Sequence, residues 1–137
     1  MMEKLNDNTQ AIKILFAEDL PSDVKLAIEE IKREKIDFIY RVVDKEAEFR
    51  QELAEFCPDI VISDYSMPTF DGMSALKITR SLYRNMPFIV LTGSMNEETA
   101  VACMKAGAND YVIKEQITRL PFAVMEAIAK RKILVEK

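Results

Sequence analysis

The stretch that most constrains the fold is Asp59-Ile60-Val61-Ile62-Ser63-Asp64-Tyr65-Ser66-Met67-Pro68. Ile60, Val61 and Ile62 are consecutive β-branched apolar residues, which is the pattern of a strand covered on both faces rather than one that alternates between core and water. The apolar run ends in Asp64, Met67-Pro68 breaks the strand, and Asp71-Gly72 opens the next helical pattern. A strand of this kind belongs in the middle of a parallel sheet. A carboxylate at its carboxyl end sits where open α/β sheets bind and react with ligands. From this stretch alone Asp64 reads equally well as a residue that caps a turn, because aspartate is common there.

The rest of the chain repeats the alternation of strand and helix. Residues 13–17 form a short apolar strand ending in Glu18-Asp19, and Leu20-Pro21-Ser22-Asp23 starts a helix that runs to Lys35. Proline suits the first turn, the early Asp23 favours the positive end of the helix dipole, and Val24, Ala27, Ile28 and Ile31 recur at helical spacing. A second strand is expected over 38–43, then a short polar helix over 45–55 with Ala47, Leu53 and Ala54 as its thin apolar side. A third helix, over 72–83, turns Met73, Leu76, Ile78 and Leu82 wholly or partly inward. A fourth buried strand over 87–92 ends in Thr92-Gly93. Asn96 or Ser94 then caps a helix that carries Ala100, Cys103 and Met104 and stops at Gly107. A fifth strand over 110–113 ends at Lys114, and a last helix over about 117–135 is apolar at Leu120, Val124, Ala127, Ile128 and Leu134. Five strands alternating with five helices through short connections call for a parallel sheet with helices on both faces.

Composition narrows the function. The 137 residues suit one domain with a core, over 12–137, behind a polar lead over 1–11 expected to be disordered. A net charge of −4 argues against non-specific binding of nucleic acid or acidic lipid. No apolar run approaches the ~20 residues of a membrane span, and the polar N-terminus is no signal peptide, so a cytoplasmic location is expected. Cys57 and Cys103 read as reduced and structural. The chain has no histidine, which removes Ser-His-Asp and Cys-His catalysis, imidazole-based zinc sites and a phosphohistidine role.

All strands of a parallel sheet share one carboxyl edge, so Glu18, Asp19, Asp64, Thr92 and Lys114 should converge there. Clustered carboxylates raise one another's pKa unless neutralised, and an oxygen-only set suits a hard divalent cation such as Mg²⁺. Lys114 can neutralise an acid or bind phosphoryl oxygens, and the Thr92 hydroxyl can hydrogen-bond one. A carboxylate nucleophile, a metal and a lysine are together the components of phosphoryl transfer onto an aspartate.

Glu18-Asp19, Ser63-Asp64-Tyr65-Ser66-Met67-Pro68, Asp71-Gly72, Thr92-Gly93 and Lys105-Ala106-Gly107-Ala108-Asn109-Asp110-Tyr111 before Lys114 occur in this order at strand ends. In this the chain resembles the receiver domain of two-component response regulators, over about residues 12–134. The resemblance implies a flavodoxin-like (βα)5 doubly wound sheet with strand order 2-1-3-4-5. It implies Asp64 as phosphoacceptor, Asp19, Asp64 and the Ser66 carbonyl as Mg²⁺ ligands, and Glu18 acting through a metal-bound water. Lys114 would bridge to the phosphoryl group, Thr92 would move toward it, and Tyr111 would turn inward behind Thr92. Gly93 would leave space beside the phosphoryl group, and Asp71 reads as a helix cap rather than a site residue.

The implied partners are a sensor histidine kinase or histidine phosphotransfer protein on the input side and an effector protein or fused output domain on the other. The face made by the fourth helix, fifth strand and fifth helix would report the change. Direct nucleic-acid binding and membrane insertion are not expected, and a homodimer is compatible with the family. The chain would be a signalling phosphoacceptor rather than an enzyme, and either a stand-alone receiver or a piece of a larger hybrid.

The chain departs from the family at Glu115, where receivers usually carry a cis-proline after the lysine; a non-proline cis bond costs about 3 kcal/mol, so none is expected. The alternative function is a degenerate receiver acting only as a protein-interaction module, which would normally have lost a site acid or the lysine. An aspartyl phosphatase of the haloacid-dehalogenase type would want a second aspartate where Ser66 stands, and Glu18-Asp19 would repel the phosphate of a flavodoxin cofactor.

Overall fold

Ile60, Val61, Ile62 and Ser63 are each buried and form the central strand β3 (Ile60–Ser63), as their β-branched run requires. The computed structural model describes residues 11–136, with side chains as far as Ile133; the lead expected over 1–11 is outside this range except for Ala11, as is the Leu134 side chain. Around β3 lie β1 (Ile12–Ala17), β2 (Phe38–Val43), β4 (Phe88–Thr92) and β5 (Asp110–Ile113). All pairings are parallel and the order is β2-β1-β3-β4-β5, the flavodoxin-like order expected. The helices are α1 (Pro21–Arg33), α2 (Glu46–Glu55), α3 (Gly72–Leu82), α4 (Glu97–Lys105) and α5 (Leu120–Glu136).

Strand alternation divides the core into two layers. Ile14 and Phe16 of β1, Ile60 and Ile62 of β3, Ile89 and Leu91 of β4 and Val112 of β5 face α1 and α5. Leu15, Val61, Phe88 and Val90 face the other way, onto Phe49, Leu53, Leu76 and Cys103 of α2, α3 and α4. Each large side chain buried in this way contributes about 1.5–3 kcal/mol, which sets the sheet's register and so the position of its carboxyl edge.

Local signals start the helices. Pro21 stands in the first turn of α1 with Asp23, and Lys32 and Arg33 complement the dipole in the last turn. Asp71 caps α3, its carboxylate accepting from the Ser74 N–H at 2.8 Å. Asn96, rather than Ser94, caps α4, accepting from the Thr99 N–H at 3.0 Å. Gly107 follows α4 at φ +107°, a region that disfavours side chains with a Cβ.

Some expectations change. The inward side of α2 is Phe49 and Leu53, four apart, while Ala47 and Ala54 are exposed. The Phe49 ring packs on Phe70 at 5.3 Å between centroids, a contact with a distant loop that helical spacing alone does not show. Leu82 and Met104 are exposed, since they stand off the inward stripes of α3 and α4. Cys103 is fully buried, but Cys57 is exposed at φ +53° in the α2–β3 turn and does not pack in the core. The last helix starts at Leu120 because a 3-10 turn, Lys114–Arg119, precedes it and Gln116 has non-helical angles.

Candidate functional site

Backbone pairing brings the acids together. The Asp64 N–H donates to the Ala17 carbonyl and the Glu18 N–H to the Val43 carbonyl, both at 2.9 Å, so β1, β2 and β3 end level with one another. Carboxylate oxygens of Glu18, Asp19 and Asp64 lie within 4.8 Å of one another. Glu18 and Asp64 are buried and Asp19 is half-buried, so the cluster is a crevice with one open side. Asp64 Oδ1 accepts from the Tyr65 N–H at 2.8 Å, which orients the carboxylate.

Lys114 enters from the end of β5. Its Nζ is 3.2 Å from Glu18 Oε1, 3.8 Å from Asp64 Oδ2 and 2.6 Å from Asp23 Oδ2. The resemblance implies only the Asp64 approach; the contacts with Glu18 and Asp23 are additional, and the sequence shows Asp23 only as a first-turn acid of α1. No cis peptide bond occurs among the described residues, and Lys114 opens the 3-10 turn. Burial, then the neighbouring Asp64 charge, push the Glu18 carboxyl up to about 7, against the opposing pull of Lys114 and the Leu20 N–H. Lys114 itself is raised: burial alone would lower it, but the hydrogen bond to Asp23 and the charges of Glu18 and Asp64 outweigh that. An oxygen-only donor set with one carboxyl held near neutrality fits a hard divalent cation, whose charge would relieve the mutual repulsion.

The loop after β3 is held from below. Met67 and Phe70 are buried in the α2–α3–α4 layer, while Ser66 is exposed above them. The Gly72 N–H donates to the Tyr65 carbonyl at 2.8 Å, and a Cβ on Gly72 would stand 2.5 Å from the Asp64 carbonyl oxygen and 2.8 Å from Tyr65 Cα. The first turn of α3 therefore presses directly on the backbone that carries Asp64. Asp71-Gly72 was legible as a helix start, but not as a close approach of two backbones.

Thr92 is buried at the end of β4. Tyr111 pairs with Val90, two residues before Thr92, so alternation puts Thr92 and Tyr111 on the same side of adjacent strands, toward α4. Tyr111 is half-buried, and its hydroxyl reaches the Ser94 carbonyl at 3.5 Å. A Cβ added to Gly93 would meet nothing within 4 Å, so the space beside Thr92 is open and packing does not itself demand glycine there. Arg80 of α3, which carries no local sequence signal, joins α3 to the start of β5. It donates to the Gly107 carbonyl at 2.7 and 3.0 Å and to the Met86 carbonyl at 2.7 Å. Asn109 Oδ1 accepts from the Phe88 N–H at 2.9 Å and so ties the starts of β4 and β5.

The sequence matches the family model described as response regulator receiver domain over residues 14–124, and the chain belongs to that family. It is 30% identical over 125 residues to the transcriptional regulatory protein PrrA of Mycobacterium tuberculosis, covering 91% of this chain and 50% of that protein. It is 36% identical over 93 residues to the transcriptional regulatory protein PhoP of Escherichia coli, covering 68% of this chain and 38% of that protein. The chain thus spans half or less of the length of these curated relatives. A response regulator receiver domain from Clostridium thermocellum superposes with a TM-score of 0.76 at 28% identity, covering 90% of this chain and 98% of that one. The receiver domain of the Francisella response regulator 1452 does so at 0.74 and 27%, covering 87% and 98%. No helix among the described residues is long and apolar enough to cross a membrane.

Proposed function

We propose that Asp64 accepts a phosphoryl group from a histidine kinase or histidine phosphotransfer protein and that the acyl phosphate switches a protein-binding face. The observation that carries this reading is the convergence of Glu18, Asp19, Asp64 and Lys114 at one sheet edge. Asp19, Asp64 and the Ser66 carbonyl would hold Mg²⁺, with Glu18 acting through a metal-bound water; the cation when bound supplies positive charge to offset the negative charge of the incoming phosphoryl group. Asp64 is the nucleophile: its carboxylate oxygen attacks phosphorus, and the donor's nitrogen or oxygen leaves with the electron pair of the broken bond. The Tyr65 N–H holds the other Asp64 oxygen and orients the attack, and Lys114 offers its ammonium to the phosphoryl oxygens. A family member that keeps all three acids and the lysine has the groups that a purely binding module would have no need to retain.

On phosphorylation, Thr92 would donate to a phosphoryl oxygen and Tyr111 would move into the space it leaves, altering α4, β5 and α5. The output is then read by protein contact, through an effector or a fused output domain. The test is intact-mass spectrometry after incubation with acetyl phosphate. A gain of roughly one phosphoryl group, about 80 mass units, that needs Mg²⁺ and disappears with hydroxylamine is expected of an acyl phosphate. A protein that gains no mass with Mg²⁺ present is a binding module instead.

A further inference from the structure

Lys114 is held by a carboxylate outside the acidic pair that follows β1. Its Nζ is 2.6 Å from Asp23 Oδ2, against 3.2 Å to Glu18 and 3.8 Å to Asp64. Of these, only the Asp23 and Glu18 contacts are hydrogen bonds. The Asp64 contact is too long to be one. Both ends of the Asp23 pair are largely covered, the side chains being 14% exposed at Lys114 and 24% at Asp23. Asp23 belongs to the first turn of α1 and Lys114 opens the 3-10 turn after β5, so the pair bridges two elements. Two carboxylates hold the tip of the side chain, Asp23 from α1 and Glu18 from the end of β1.

This geometry sets up a competition. An ammonium has three donors and one charge, and Asp23 uses the shortest of its contacts. A phosphoryl group on Asp64 would need that ammonium closer than the 3.8 Å it keeps from Asp64 Oδ2. Resting on the reading of Asp64 as phosphoacceptor, we propose that Asp23 is a positioning residue that draws Lys114 to the α1 side of the crevice, so that a phosphoryl group on Asp64 must take the lysine from it. The phosphorylated state is then stabilised only by the difference between the two sets of contacts. Asp23 thus weights the equilibrium toward the unphosphorylated form.

Substituting Asp23 should move two affinities in opposite directions. In Asp23→Asn the freed ammonium is available to a phosphoryl analogue, whose affinity should rise about tenfold, equivalent to about 1.4 kcal/mol. Mg²⁺ alone should bind more weakly, because one negative charge is lost and the freed ammonium moves onto the oxygens of Glu18 and Asp64. A carboxylate that merely supported the fold would weaken both.

The experiment titrates beryllofluoride at saturating Mg²⁺, and separately Mg²⁺ alone, with amide NMR shifts as the readout. The proteins are wild type, Asp23→Asn, Asp23→Ser, Asp23→Glu, Lys114→Ala and the Asp23→Asn/Lys114→Ala double variant. Asp23→Ser also removes the charge and serves if Asp23→Asn does not fold. The expected result is tighter beryllofluoride binding when the charge is removed, a return toward wild type with Asp23→Glu, and loss of most of the gain when Lys114 is absent. Unchanged or weaker binding in both neutral variants overturns the proposal, as does a gain of equal size without Lys114. If the wild type itself binds no beryllofluoride, the phosphoacceptor reading fails with it. If the wild type binds and the Asp23 variants show no gain, only the Asp23 role fails.

Discussion

Raising the pH from about 6 to about 8 should tighten Mg²⁺ binding at the crevice roughly tenfold, because a proton on Glu18 removes a negative charge that favours the cation. Burial and the Asp64 charge hold Glu18 at about 7 in the cation-free protein. With that value Glu18 is about one-tenth ionised at pH 6, about half at pH 7 and about nine-tenths at pH 8. Binding should therefore release about 0.9 proton at the first pH, about 0.5 at the second and about 0.1 at the third. Calorimetry in two buffers of different ionisation enthalpy measures both the affinity and the released proton. Glu18→Gln should bind more weakly and lose this pH dependence. A wild-type affinity flat across the window, or an equal slope in Glu18→Gln, would refute the reasoning.

The same group makes its own contribution to the apoprotein's pH stability. Its folded pKa lies above the ordinary 4.5, so the folded state keeps a proton that the unfolded chain has lost. Its contribution to stability without metal, read as the difference between wild type and Glu18→Gln, should fall as pH rises from about 4.5 to about 7, by at most about 3 kcal/mol, and Mg²⁺ should restore most of it above pH 7.

Gly72→Ala should destabilise the protein by about 2–4 kcal/mol, since the new Cβ must displace the backbone of Asp64 and Tyr65; chemical denaturation measures this, and an unchanged midpoint would contradict the close approach. Arg80→Ala should cost about 2–3 kcal/mol by leaving the Gly107 and Met86 carbonyls without their partner, read as a lower Tm with Mg²⁺ affinity retained. Thr92→Ala should still accept phosphate at Asp64 but lose most of the amide shift changes of α4 and β5 on addition of beryllofluoride, and a full response would exclude Thr92 as the relay.

The β3 run and the acids that follow β1 and β3 were legible because a doubly covered strand has a strong sequence signature and because strand ends in a parallel sheet share an edge. Thr92 and Tyr111 could be placed on neighbouring strands for the same reason. The inward face of α2 was legible only at Leu53, while the ring contact of Phe49 with Phe70 joins positions 21 residues apart in the chain. The grip of Asp23 on Lys114 joins positions 91 residues apart, and local spacing shows Asp23 only as a first-turn acid. Gly72 and Arg80 were hidden for a related reason. Their roles rest on how closely one element approaches another, and a distance across the fold has no periodicity to read.

The most direct measurement is the location of the covalent phosphoryl group. Acetyl phosphate and Mg²⁺ are added, the acyl phosphate is reduced with borohydride, and peptide mapping finds the aspartate converted to homoserine. Conversion at Asp64 alone, lost in Asp64→Asn, is the predicted result. Conversion at Asp19 or Asp23, or none in the wild type, would contradict the assignment of Asp64 as the phosphoacceptor.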